Sequence, residues 1–403
     1  MSKRPTVILK PREEDRLLRG HPWVYDNEIA RVIGEAAPGA EVSLSSTKGA
    51  FLGSALYSPS SRIRARRYSY KDEAFNEAFI AGRLALARER RRASRDLERD
   101  SYRAVFAEAD GLPGLIVDRY AEASGGRSYL SVQILARGLE ERRAALLSAL
   151  DGLYKPSGII ERSDASVREL EALGPGEGVI AGSVPEAFAI RENGLEFEVG
   201  LGAGQKTGWF LDQRENRAAA AAYAPGRRVL DLFCNQGGFA LAAAARGAES
   251  ALAVDASAEA LAAARANASR NGLAERLEAR EADVFEFVRA EQKAGSRYGL
   301  IVLDPPAFAK SKAALEGATR GYKDLNMRAL KLLEPGGVLA TFSCSYWMSR
   351  ERLLWALEAA AADARVELRY LEELGQAPDH PIVSGYAESR YLKGFIVEAR
   401  PQA

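Results

Sequence analysis

Val229-Leu230-Asp231-Leu232-Phe233-Cys234-Asn235-Gln236-Gly237-Gly238 is the stretch on which the fold of this 403-residue chain turns. Its first five residues make an apolar run the length of a buried strand, broken by a single acid, and the glycine pair then opens a helix. A strand that passes into a helix through a glycine turn starts a βα unit, and the unit repeats downstream. Strands are expected over 229–233, 251–255, 277–281, 300–303 and 338–342. Helices are expected over 239–246, 258–271, 284–294, 325–333 and 351–362. Repeats of this spacing imply an α/β domain with a parallel sheet covered by helices, its ligands at the carboxyl ends of the strands.

Working toward the N-terminus, the pattern changes twice. Residues 6–70 read as short strands and turns, such as Thr6-Val7-Ile8-Leu9 and Ala50-Phe51-Leu52-Gly53. Residues 1–70 carry 12 basic residues against 7 acidic, although the whole chain nets only +1. It ends in Arg62-Ile63-Arg64-Ala65-Arg66-Arg67-Tyr68, where strand alternation puts guanidinium groups on one face, suited to phosphate, beside a Tyr suited to base stacking. A charged, solvated edge strand is the ordinary alternative. Residues from about 75 to 103 then read as an Arg-rich helix. They open a small α+β module that includes the turn Asp110-Gly111-Leu112-Pro113-Gly114.

Composition narrows the class. A chain this long divides into two or three domains at roughly 100 to 200 residues each. Hydrophobic residues at 47% and charged residues at 28% are those of a folded globular protein, with no run long enough to span a bilayer and no apolar leader. A cytoplasmic protein without membrane association is the expectation. Only Cys234 and Cys344 are present, which excludes a disulfide framework and a Cys-rich zinc site, so no metal is expected. Each thiol is then either packing or chemistry.

The turn after the first βα strand lacks the G-x-G-x-x-G that cradles a pyrophosphate. With fewer glycines and an acid, Asp231, on the strand, a cationic amino-acid ligand is the better match. The next strand ends in Asp255, placed to accept from two ribose hydroxyls, which alone does not separate NAD from S-adenosylmethionine. Asp283 closes the third strand, where a carboxylate meets an adenine amino group or simply caps the next helix. The Gly-rich stretch 200–204 opens no helix and is set aside as a dinucleotide motif. The segment Lys206 to Arg214, with Thr207 and Phe210, is expected as a lid over the cofactor.

Asp304-Pro305-Pro306-Ala307-Phe308 follows the fourth strand. Two prolines hold the backbone still, and such a loop suits a planar nitrogenous ring, held by its edge and stacked on its face. The fifth strand ends in Ser343-Cys344-Ser345, on the same edge as Asp304. A Cys on an apolar strand is most often inert, but a polar strand-end setting favours a nucleophile. Carbon 5 of a pyrimidine takes a methyl group only after a thiolate has added to carbon 6.

These residues together resemble the bacterial PUA-containing large-subunit rRNA cytosine-5 methyltransferase family. The carriers are Gly20-His21-Pro22-Trp23-Val24-Tyr25, Asp110 to Leu115, Lys206 to Arg214, Asp231 to Gly238, Asp304-Pro305-Pro306 and Arg320-Gly321-Tyr322-Lys323-Asp324. Further carriers are Phe342 to Ser345, Asp379-His380-Pro381 and Tyr391-Leu392-Lys393-Gly394-Phe395. The resemblance implies a PUA-like RNA-binding domain over 1–72, a central α+β domain over 73–190, and a Rossmann-like class I methyltransferase domain over 191–403.

It further implies methylation of carbon 5 of a cytosine in 23S ribosomal RNA, with Cys344 as nucleophile and Asp304 on the cytosine ring. The expected S-adenosylmethionine contacts are Thr207, Phe210, Asp231, Phe233, Cys234, Asn235, Gly237, Asp255, Ala256, Ser257, Asp283, Val284, Asp304 and Pro305, with packing the simpler role for Cys234. The expected RNA contacts are Pro306, Phe308, Lys323, Arg62, Arg64 and Arg66. Lys323, Asp324 and His380 are candidates to take the carbon 5 proton. A homodimer is kept open. The competing readings are an rRNA methyltransferase acting on another base atom without the thiol, a ribosome assembly factor with a relict domain, and a nicotinamide dehydrogenase.

Overall fold

The computed structural model describes residues 4–202, 208–309 and 311–401. The chain forms two compact units, one of residues 1–191, 199–211 and 378–389, the other of 192–198, 212–377 and 390–403.

The second unit holds seven strands: β1 (Arg228–Leu232), β2 (Ser250–Asp255), β3 (Leu277–Glu281), β4 (Tyr298–Leu303), β5 (Leu333–Ser343), β6 (Val366–Gly375) and β7 (Lys393–Pro401). Their order across the sheet is β3-β2-β1-β4-β5-β7-β6. The first five are mutually parallel, and β7 runs antiparallel to both β5 and β6. Central β4, Tyr-Gly-Leu-Ile-Val-Leu, is buried at every position, as a strand covered on both faces must be, whereas edge strand β3 is mostly exposed.

Helices α1 (Arg214–Ala221), α2 (Gly238–Ala245), α3 (Ala258–Arg270), α4 (Val284–Ala294), α5 (Leu315–Leu332) and α6 (Arg350–Ala364) cover the sheet. In α5 the buried residues Ala318, Tyr322, Leu325, Ala329 and Leu332 recur at three- and four-residue spacing, a stripe that joins the core of the unit. Order reverses between β1 and β4, so ligands belong at the carboxyl ends there. The register sets that edge: Leu232 pairs with Leu303, and Leu303 with Thr341, which brings the residues after β1, β4 and β5 to one rim. The closing pair β6 and β7 was not expected from sequence. Gly394 permits it, because a Cβ there would collide with the Phe342 ring.

The first unit contains two larger sheets and two core clusters, the second of which also takes in Leu56 and Tyr68 from the first sheet. A six-stranded sheet of Trp23–Tyr25, Ile63–Ser69, Phe51–Tyr57, Glu41–Ser45, Thr6–Leu9 and Ile29–Ile33, in that spatial order, encloses Val7, Leu9, Val24, Val42 and Leu44. A five-stranded sheet of Gly176–Gly182, Gly158–Ser163, Ser128–Ile134, Leu115–Ala121 and Tyr102–Phe106 packs with helices Glu77–Arg91 and Arg143–Tyr154. Asp110 explains the turn singled out in the sequence. It is 1% exposed, accepts two 2.7 Å bonds from Arg91, and takes the Phe106 amide at 2.7 Å.

The Arg62 to Tyr68 strand is not an edge strand, because Ile63–Ser69 lies between two neighbours. Arg66 is 8% exposed and ion-paired to Glu108 at 2.8 Å and Glu171 at 3.1 Å. Its guanidinium is consumed inside the unit, which corrects its expected role in gripping RNA phosphate. Arg67 likewise turns inward, donating to the carbonyls of Leu17 and His21. Arg62 is exposed and Arg64 partly so.

Candidate active site

The turn after β1 needs three left-handed residues within five: Phe233 (φ 61°), Asn235 (φ 48°) and Gly237 (φ 76°). Two of them carry side chains, at a cost of about 1–2 kcal/mol each, and strain of this kind persists where a turn serves a ligand. A Cβ on Gly237 would stand 3.0 Å from that of Ala264, so glycine is also required for α3 to approach.

Asp231 lies beneath this turn, fully buried. Its Oδ2 accepts the Ala240 amide at 2.9 Å in the first turn of α2, while its Oδ1 is buried with no hydrogen-bond partner among the described residues. Burial, then the fields of Asp304 and Asp255, push the carboxyl up to about 8. A buried acceptor left unpaired is costly, and a cationic donor at this rim would relieve it.

At the end of β2, Asp255 Oδ2 accepts the Asn235 amide at 2.9 Å and Oδ1 the Ser257 amide at 3.0 Å. It is only partly buried, and a carboxylate has about four lone-pair sites, so capacity remains for ribose hydroxyls. Ala256 and Ser257 are exposed, the latter capping α3. Asp283 is exposed and caps α4 through the Glu286 amide at 3.0 Å, while the Val284 side chain, 2% exposed, belongs to the core. Cys234 is 6% exposed with Sγ 3.5 Å from the Asn235 carbonyl, and burial pushes its thiol far up, which is packing behaviour. Thr207 lies outside the described residues; Phe210 belongs to the first unit and is 47% exposed. An orphaned buried carboxyl, a strained glycine turn and a partly exposed ribose acceptor on one rim fit a ligand combining an adenosine with a cationic amino acid.

Asp304 follows β4. Its Oδ2 accepts the Gln213 side-chain amide at 2.8 Å, and burial with the field of Asp212 pushes the carboxyl up to about 7. Pro305 is buried and Pro306 exposed; Phe308, partly buried, packs on Tyr322 at a ring distance of 5.0 Å and also near Phe233 and Phe285. Cys344 follows β5, partly exposed. Burial, then Asp304 and Asp212, push its thiol up to about 11, with Lys393 opposing. Its neighbours are fixed: Ser343 Oγ donates to the Tyr322 phenol at 2.8 Å, and Lys393 Nζ donates to the Ser345 carbonyl at 2.8 Å. Beyond them the rings of Tyr346 and Trp347, 52% and 39% exposed, meet edge-on at 5.0 Å.

Asp212 and Gln213, expected only as part of the Lys206 to Arg214 lid, gather at this rim with Tyr391 and Lys393, for which no role was expected. For Tyr391 and Lys393 the signal was their place in a motif that carries the resemblance. Conversely, Lys323 pairs with Asp363 at 2.8 Å and Asp324 with Arg328 at 2.9 Å. His380 belongs to the first unit, 2% exposed beside Asp379 and Phe106. Among the described residues no group of three or more metal-ligating side chains occurs, and no helix is long and apolar enough to cross a membrane.

A family model described as S-adenosylmethionine-dependent methyltransferase matches residues 176–394, and one described as PUA-like domain matches residues 7–70. A relative from Erwinia tasmaniensis, named Ribosomal RNA large subunit methyltransferase I, is 43% identical over 394 residues, 96% of this chain and 98% of its own length. The chain belongs to this methyltransferase family. A relative of the same name from Klebsiella pneumoniae is 41% identical, with 97% of each chain covered. A solved structure named as a SAM-dependent methyltransferase from Streptococcus mutans shares the fold at 23% identity, TM-score 0.82, with 98% of this chain and 99% of that one covered. Another methyltransferase structure of that likeness, TM-score 0.83, was solved in complex with SAH. The cofactor is S-adenosylmethionine, and the fold is a Rossmann-like α/β methyltransferase preceded by a PUA-like domain. The nicotinamide reading is thereby set aside.

Proposed function

We propose that this chain methylates carbon 5 of a cytosine in 23S ribosomal RNA through a covalent adduct on Cys344. One observation carries the reading: a partly exposed thiol stands at the carboxyl end of β5, one strand over from a carboxyl poised near neutrality at the end of β4. The names of the relatives support ribosomal RNA as the substrate. Residues 1–72, 73–190 and 191–403 are proposed as the PUA-like, central and methyltransferase domains, although stretches 199–211 and 378–389 of the last range group with the first compact unit.

S-adenosylmethionine, when bound, supplies a methyl group on a cationic sulfur; Asp231, Asp255 and the Phe233 to Gly237 turn are the groups that would hold it. With a carboxyl near 7, Asp304 is present in both forms at neutral pH, so it can donate to the ring nitrogen N3 of cytosine. That donation draws electrons from carbon 6 and favours attack by the Cys344 thiolate. Burial is the main cause of the raised thiol; while Asp304 holds its proton, one of the two negative fields that add to it is absent, and Lys393 is the cation that offsets the sulfur's charge. Exposed Pro306, Tyr346, Trp347 and, in the first unit, Arg62 offer apolar, stacking and phosphate contacts to RNA.

The test is to map 5-methylcytosine across 23S ribosomal RNA from cells with and without the protein, and to assay a Cys344→Ala variant. Loss of one site and an inactive variant are expected. Unchanged methylation would overturn the substrate, and full activity of the variant would overturn the adduct.

A further inference from the structure

The mechanism must still find an acceptor for the hydrogen on carbon 5. Of the groups considered from sequence, Lys323 and Asp324 are held in ion pairs and His380 is buried beside Asp379.

Asp212 stands apart from these. It directly precedes Gln213, whose side chain donates to Asp304. Its backbone carbonyl accepts the Ala377 amide at 2.9 Å, and its Oδ2 accepts the Tyr391 phenol at 2.6 Å, so the backbone is tied by one bond and the carboxylate by the other. The Tyr391 carbonyl in turn accepts from Lys393 Nζ at 2.8 Å, and the same ammonium binds the Ser345 carbonyl next to Cys344. Hydrogen bonds and single peptide steps therefore lead from Asp304 through Gln213, Asp212, Tyr391, Lys393 and Ser345 to Cys344. The field of Asp212 reaches both ends, raising the Asp304 carboxyl and the Cys344 thiol. Unlike Asp231, it is only partly buried, and the phenol occupies one of its roughly four lone-pair sites.

We propose that Asp212 accepts the carbon 5 proton of the methylated adduct, with Tyr391 as the residue that positions its carboxylate. The proposal rests on the cytosine-5 reading. After methyl transfer, carbon 5 bears both the methyl group and its hydrogen. The C5–H bond breaks and its proton passes to an Asp212 oxygen. The electron pair of that bond forms C5=C6, the C6–S bond breaks, and its pair leaves with Cys344 as thiolate. No oxidant or reductant takes part.

The experiment compares full-length wild type, Asp212→Asn, Asp212→Glu and Tyr391→Phe. Each is incubated with 23S ribosomal RNA from cells lacking the protein and methyl-labelled S-adenosylmethionine, then run on a denaturing gel. Asp212→Asn is expected to trap labelled methyl in a protein–RNA complex that survives denaturation and to release free methylated RNA about a hundredfold more slowly. Asp212→Glu restores part of the release, and Tyr391→Phe gives an intermediate amount of trapped complex. Adding Cys344→Ala to Asp212→Asn abolishes the complex. Calorimetric binding of S-adenosylmethionine, unchanged in Asp212→Asn, shows that the variant is folded. Release at the wild-type rate, or loss of methyl transfer with no trapped complex, overturns the proposal. Wild type challenged with 5-fluorocytidine-containing RNA tests the underlying reading separately: with fluorine at carbon 5 no proton can leave, so the absence of a trapped complex there removes the cytosine-5 adduct itself.

Discussion

Replacing Asp231 by Asn should stabilise the cofactor-free protein while weakening its hold on S-adenosylmethionine. The carboxyl pKa rises from 3.8 to about 8 on folding, and each tenfold gain in proton affinity corresponds to about 1.36 kcal/mol. A group raised in this way binds its proton more tightly when folded, so its contribution to stability is complete below 3.8 and is lost as pH rises toward 8. At pH 7 the penalty is about 4 kcal/mol, and above pH 8 it levels near 6 kcal/mol. Asn escapes that penalty but buries an amide that has only Ala240 to bond, at a cost of about 1–3 kcal/mol. The two terms cross. At pH 4 the variant should be the less stable protein, and at pH 7 the more stable by about 2 kcal/mol, a rise in thermal midpoint of about 5 °C. Denaturant titrations of the cofactor-free chain at pH 4, 6 and 8 follow the crossing, and calorimetry follows the cofactor. Wild-type affinity should climb with pH up to about 8 as the carboxylate forms, while the variant binds at least about tenfold more weakly and without that slope. A variant less stable than wild type at every pH, or one with unchanged affinity, would refute the account of Asp231 as an orphaned anion awaiting a cation.

Arg66→Ala should cost about 3–5 kcal/mol by leaving Glu108 and Glu171 buried without their cation, whereas Arg62→Ala should leave thermal stability unchanged; parallel melting curves of the two check this. Burial alone would raise the Asp379 carboxyl, but His380, Arg95 and the Arg103 amide outweigh it and hold the group well below the usual carboxylate range. Its stabilising effect is therefore present above about 4 and fades in acid, so Asp379→Asn should lower stability at pH 7 and flatten the loss seen by denaturant titration below pH 4. Gly237→Ala should reduce cofactor affinity and stability together, because it adds about 1–2 kcal/mol of left-handed strain and brings a new Cβ to 3.0 Å from that of Ala264; binding and melting measured on one preparation test both.

How legible these features were depended on how local their causes are. The βα repeats could be read because parallel strands such as Tyr298–Leu303 are buried on both faces and carry an unbroken apolar signature. Val366–Gly375 escaped notice because an edge strand in a charged, half-exposed setting has no such signature. The strand-end acids Asp231, Asp255 and Asp304 stood out from their apolar surroundings. Arg66 misled for the opposite reason: alternating Arg residues look alike in sequence, and the carboxylates that draw this one inward lie 42 and 105 residues away. Asp212 and Tyr391, 179 residues apart, have no local mark of partnership at all; only the folded chain joins them.

Residues 378–389 belong to the first compact unit, although the chain on both sides of them belongs to the second. Arg95 and the Arg103 amide find their carboxylate, Asp379, in that return visit. During synthesis, then, Arg95 and the Arg103 amide can meet this carboxylate only after residue 379 has emerged. A fragment ending before residue 378 lacks that carboxylate. The order of translation and the order of completion thus differ: the first unit to be made is among the last to be finished, which ties the maturation of the N-terminal unit to the arrival of the C-terminal sequence.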